Sequence, residues 1–102
     1  MTIKDAYVVM YNILDDYYCF ESKNDSLASL LSDMNPNIFL DKKAADPATY
    51  IDWYNSVSGY IRNGEISDKN IILALKEFLI YYQQEFDYQL EEVIDFISNK
   101  FC

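Results

Sequence analysis

Apolar side chains recur every third or fourth position along almost the whole chain, and this periodicity constrains the fold more than any other feature. Ile3, Ala6, Tyr7, Met10, Leu14 and Tyr17 fall on one stripe of a helix, with Asp5, Asn12 and Asp16 facing away. Thr2 stands where a capping hydroxyl is needed, so the spacing predicts a helix over residues 3–21. The polar run Ser22-Lys23-Asn24-Asp25-Ser26 breaks it, and a short helix bearing Leu27, Leu30, Leu31 and Met34 follows. Asn35-Pro36-Asn37 reads as a turn, after which Ile38, Phe39 and Leu40 tuck a loop back onto the core.

Asp46-Pro47 is the sharpest local signal. Aspartate caps free amides, and proline at the first helical position lacks an N–H that would be unpaired there anyway. Tyr50, Trp53, Tyr54, Val57 and Ile61 form one face of the helix that follows, and Asp52, Asn55, Ser56 and Gly59 the other. Gly64 is placed to end it with a left-handed cap. Ser67 caps a longer helix over 68–85, with Ile71, Ile72, Leu75, Phe78, Leu79 and Tyr82 on its main face. Asp87 caps or kinks into a last helix carrying Leu90, Val93, Ile94, Ile97 and Phe101. No stretch alternates as a strand does, and no repeat is visible. The expected fold is all-α: one domain over residues 1–102, a compact bundle of four to five amphipathic helices.

Composition narrows the chemistry. Seventeen acids against eight bases and no histidine leave a formal charge of −9. Direct nucleic-acid binding is not expected, because phosphate recognition rests on clustered Lys and Arg. Histidine-dependent catalysis and imidazole zinc sites are excluded. Cys19 and Cys102 are too few and too far apart for a disulfide scaffold, so both are read as reduced thiols in the cytoplasm. Met1-Thr2-Ile3-Lys4-Asp5 lacks the pattern of a signal peptide. The longest apolar run, Ile71-Ile72-Leu73-Ala74-Leu75, stops at Lys76, so no membrane span is expected.

Two patterns invite a chemical reading and fail it. Asp33, Asn35 and Asn37 match the first three ligand positions of a calcium loop running to Ala44. Ile38 stands where the loop needs glycine and Ala44 where it needs glutamate, so the segment is read as a helix-ending turn, and no metal or cofactor is expected. Asp15 and Asp16 diverge on a helix, while Glu91 and Asp95 share a solvent-facing side. No phosphate loop or activated nucleophile is present, and the chain is not expected to be an enzyme. Carboxylate chemistry would require a concave pocket around two converging acids.

The surface offers three further features. Most of the ten tyrosines and six phenylalanines, with Trp53, lie on core faces, but Tyr11, Tyr18, Tyr81 and Phe96 flank or oppose them. These read either as recognition aromatics or as ordinary surface scatter. Leu73 and Ile80 lie together away from the main stripe of their helix, which makes that helix central to the bundle or seals a homodimer. Between Glu77 and Asn99 stand six acids and no base. That bias is either a solvated face or a surface for an electropositive partner.

The segment Asp46-Pro47-Ala48-Thr49-Tyr50-Ile51-Asp52-Trp53, in a small, acidic, helical chain, resembles uncharacterised bacterial families, some of them toxin-immunity proteins. That resemblance implies a cytoplasmic inhibitor of a toxin or nuclease. The residues expected to meet such a basic partner are Asp87, Tyr88, Glu91, Glu92, Asp95 and Phe96. The alternative is a homo-oligomeric regulatory or structural protein joined through Leu73 and Ile80.

Overall fold

A computed structural model describes residues 1–21, 23–35 and 47–101. Five helices account for most of them: α1 (Ile3–Phe20), α2 (Asp25–Met34), α3 (Pro47–Val57), α4 (Ile71–Phe86) and α5 (Glu91–Phe101). The all-α expectation holds, with one small β element added. Asp46, Ile38, Phe39, Leu40 and most of the calcium-loop-like segment lie outside the described residues, whereas Pro47 does open α3.

Local chemistry starts the first two helices. The Thr2 hydroxyl accepts the Asp5 N–H at 3.1 Å, and the Asn24 side-chain carbonyl accepts the Leu27 N–H at 3.0 Å. Both helices then bury the stripes read from the sequence: Ala6, Tyr7, Met10, Leu14 and Tyr17 on α1, and Leu27, Leu30, Leu31 and Met34 on α2. α4 packs on α3, α5 and α1, with Ala74, Leu75, Phe78 and Leu79 fully buried.

One cluster ties three helices together. Trp53 of α3 is fully buried, and its indole N–H donates to Met10 Sδ of α1 at 3.1 Å. The Tyr7 ring meets Trp53 edge-on, with centroids 5.0 Å apart, and its hydroxyl donates to the Met34 carbonyl at 2.6 Å. Met34 is the last residue of α2, whose terminal carbonyls have no partner within the helix. Tyr7 therefore serves α2 as a C-terminal cap supplied from α1.

Downstream of α3 the structure corrects the sequence reading. The helix stops at Val57, and a 3-10 turn over Ser58–Tyr60 leads into β1 (Ile61–Arg62) and β2 (Glu65–Ile66). Asn63 and Gly64 both take positive φ, 56° and 77°, as a two-residue hairpin turn demands. Gly64 is thus a hairpin residue, and Ile61 lies on a strand. Buried Ile66 pins the hairpin to the core, and the chain start completes it: Thr2 bridges Glu65, and the Ile66 N–H donates to the Met1 carbonyl at 3.0 Å.

The start of α4 is also displaced. Asp68–Asn70 form a 3-10 turn, and Ser67 contributes its carbonyl, which accepts the Asn70 N–H at 2.8 Å, with no side-chain cap. Asp87 ends α4 in the left-handed conformation (φ 57°, ψ 34°), and α5 begins only at Glu91. A short polar side chain tolerates that backbone, which turns the chain sharply.

Burial pushes the Tyr7 hydroxyl well above its ordinary value of 10.0, with Tyr82, Tyr50 and Tyr11 adding to the rise. A hydroxyl kept neutral in the folded state stabilises fully below the unfolded value and loses that contribution as pH climbs toward the folded one. Tyr7→Phe is expected to cost about 1–2 kcal/mol at neutral pH, from the unpaired Met34 carbonyl. It should also flatten the loss of stability above about pH 10, where unfolded tyrosine ionises. Urea unfolding from pH 7 to 11 measures both effects.

Candidate functional site

The acidic helix is held in place by groups from α2. The Asn24 amide N–H donates to the Gln89 carbonyl at 2.7 Å, and the Gln89 N–H donates to Ser26 Oγ at 3.0 Å. The Leu90 N–H, which opens the last helix, donates to Gln83 Oε1 of α4 at 2.9 Å. Asn24 thus caps α2 with its oxygen and grips the α4–α5 link with its nitrogen. These bonds set the direction in which α5 leaves the link.

Burial then sorts the α5 faces. Leu90, Val93 and Ile97 are fully buried, so Glu91, Glu92 and Asp95 point outward and are exposed. Asp87 is exposed beside them at the turn. The predicted acids of α5 therefore form a short row on one side of its first turns, about 6 Å from Glu91 to Asp95 at the helical rise.

Aromatic groups mark both ends of this row. At its start, the exposed Phe86 stacks on Tyr82 with centroids 4.8 Å apart, and Tyr88 lies 5.5 Å from Tyr82. Tyr88 is half-buried and also lines a shallow hollow with Ala28, Ser29, Ser32 and Asp33 of α2. The Tyr81 and Tyr82 hydroxyls both approach the Asp52 carboxylate, at 3.4 and 3.3 Å. Burial raises the Tyr82 hydroxyl well above its ordinary value; Thr49 pulls the other way and Asp52 adds to the rise. Asp52, placed by its spacing on the face away from the core, thus anchors two tyrosines of α4.

At the far end, Phe96 corrects the expectation of an outward ring. It is half-buried, packed edge-on against Tyr17 at 4.9 Å, with the Lys100 ammonium 5.3 Å above it. Phe96 sits on the flank of α5 between the acidic and core faces, and α1 comes near enough to cover one side. Between the two helices lies a cleft of ≈ 180 Å³, lined by Ile13, Asp16, Tyr17, Phe20 and Glu21 of the α1 end and by Phe96 and Lys100. Phe20, missed in the sequence, is 80% exposed at its rim.

The other flanking aromatics are corrected likewise: Tyr11, Tyr18 and Tyr81 are half-buried against the core. Tyr54, placed on a core face by its spacing, is exposed. Leu73 and Ile80 are 47% and 36% exposed, so they face away from the bundle instead of packing in its centre.

Chemically, this surface offers carboxylates, aromatic faces and few cations. Among the described residues no three Cys, Asp or Glu side chains are grouped to hold a metal ion, and no helix is long and apolar enough to cross a membrane. The chain matches no protein family, no curated protein and no solved structure. Asn24→Ala is expected to cost about 2 kcal/mol, since it removes a cap and a bond to the α5 approach together. Phe20→Ser, at an exposed position, should stay within about 0.5 kcal/mol of the parent. Chemical denaturation of the two variants tests this contrast.

Proposed function

We propose that the chain is a protein-binding module that neutralises a basic partner, most concretely an immunity-type inhibitor of a toxin or nuclease. One observation carries the reading: Glu91, Glu92 and Asp95 stand exposed in a row, within a stretch from Glu77 to Asn99 that contains no base. In a chain of charge −9, such a row raises the local concentration of a cationic partner and orients its approach. Aromatic groups at both ends supply apolar area that charges alone lack, which is how hot spots are built. On this reading the chain performs no chemistry itself and works in the cytoplasm, where Cys19 stays a thiol.

A second reading, self-association, is favoured by the exposure of Leu73 and Ile80 on one outward side of α4. Sedimentation at micromolar concentration separates the two, because the dimer must be present without any partner.

The test of the leading reading is kinetic. The partner is to be isolated on the tagged chain from its own cells and its binding followed by surface plasmon resonance. The association rate should fall about tenfold between 50 and 300 mM salt, and the Glu92→Lys/Asp95→Lys variant should associate at least about tenfold more slowly. A partner that is acidic, or one indifferent to salt and to both charge reversals, would contradict the reading.

A further inference from the structure

We infer that the α1–α5 cleft is the anchor site for one amphipathic helix of the partner, bearing an aromatic or leucine side chain flanked by arginine or lysine. This rests on the reading above, that the partner is a basic protein, and adds which part of it is held and where.

Three observations lead there. The first is size and lining. An engineered apolar cavity of about 150 Å³ accommodates benzene. A cleft of ≈ 180 Å³ walled by Tyr17, Phe20 and Phe96 therefore has room for one large side chain. Phe20, 80% exposed, is the most exposed large hydrophobic side chain among the described residues, and it stands at the mouth.

The second is electrostatic. The cleft lies where the last turns of α1 and α5 come together, and each helix end carries about half a negative charge. Asp16 and Glu21 add two carboxylates on the α1 side, where the last turn has no basic residue, against the single cation Lys100 in the last turn of α5. Glu92 lies one turn before Phe96 on the same side of α5.

The third is an internal precedent. The Lys100 ammonium sits over the Phe96 ring at 5.3 Å, so a cation already uses this face within the chain. An incoming guanidinium would displace Lys100 from that ring with a planar group that stacks better.

The occupant's backbone follows from the walls. Both are helices, whose amides are bonded within them, and the remaining main-chain groups are terminal carbonyls that only accept. A visiting strand would find no ladder to join. A helix satisfies its own backbone, presents its apolar anchor to the groove and offers basic side chains to the carbonyls.

The probe is a sixteen-residue helical peptide of lysine and leucine with one tryptophan on its apolar face, titrated into the labelled chain and followed by two-dimensional NMR and tryptophan fluorescence. Shifts should concentrate at 13–21 and 92–100. Phe20→Ser and Asp16→Lys/Glu21→Lys, all at exposed positions, should each weaken binding about tenfold, and a glutamate-for-lysine peptide should not bind. Absence of binding, shifts centred on Leu73 and Ile80 or on Phe86 and Tyr88, or equal binding of the acidic peptide would overturn the inference. The same Phe20→Ser variant is then tested on the natural partner. If that partner keeps its salt-dependent binding while ignoring Phe20→Ser, the cleft is wrong and the basic-partner reading stands.

Discussion

The bundle depends on the buried contact of Tyr7, Met10 and Trp53. An indole N–H directed at a thioether sulfur and a phenol directed at a helix-end carbonyl fix α1, α2 and α3 relative to one another. Each ring buries large area, and each polar tip has a partner, so the cluster gains hydrophobic stabilisation without leaving a donor unsatisfied. Among the described residues no buried side-chain nitrogen or oxygen lacks a hydrogen bond. The same holds for Thr49 and Asp52 beneath the tyrosines of α4, where polar groups sit in a mostly apolar layer.

The placement of α5 follows from that platform. α2, capped at one end by Asn24 and at the other by Tyr7, presents Asn24 and Ser26 to the turn that follows the left-handed Asp87. With the turn held, Leu90, Val93 and Ile97 enter the core, and the three carboxylates of the opposite side must face water. Glu91 and Glu92 stand in the first turn, where the helix dipole favours acids. Only the Glu91–Asp95 pair at i,i+4 opposes the helix, by a few tenths of a kcal/mol. Long-range attraction would govern the encounter, and aromatic contact at the ends of the row would govern how long it lasts.

The sequence made the helical faces legible because amphipathicity is local and repeats every turn. α1 and α2 buried every residue that their stripes indicated except Ile3, which is half-buried at the start of α1, and the Thr2 cap was visible from one hydroxyl in the right place. The hairpin was missed although Asn63-Gly64 between Ile61-Arg62 and Glu65-Ile66 is a strong turn signal; the helical period upstream masked it. The degree of exposure was harder to read. Whether Phe96, Tyr11 or Tyr81 is covered depends on a neighbouring helix, and helical spacing says only that each lies on a flank. Phe20 falls off the stripe at a helix end, where spacing carries least information. The dual role of Asn24 joins residues 65 positions apart, and no local pattern encodes it.

On the proposed function, the molecule acts by offering an acidic, aromatic-flanked helix surface to a basic protein. Hydrogen–deuterium exchange of the chain, alone and bound to its isolated partner, tests it most directly. New protection is expected only at residues 16–21 and 87–100, with the outward side of α4 unchanged. Protection centred on Leu73 and Ile80, with residues 87–100 exchanging as in the free chain, would contradict it.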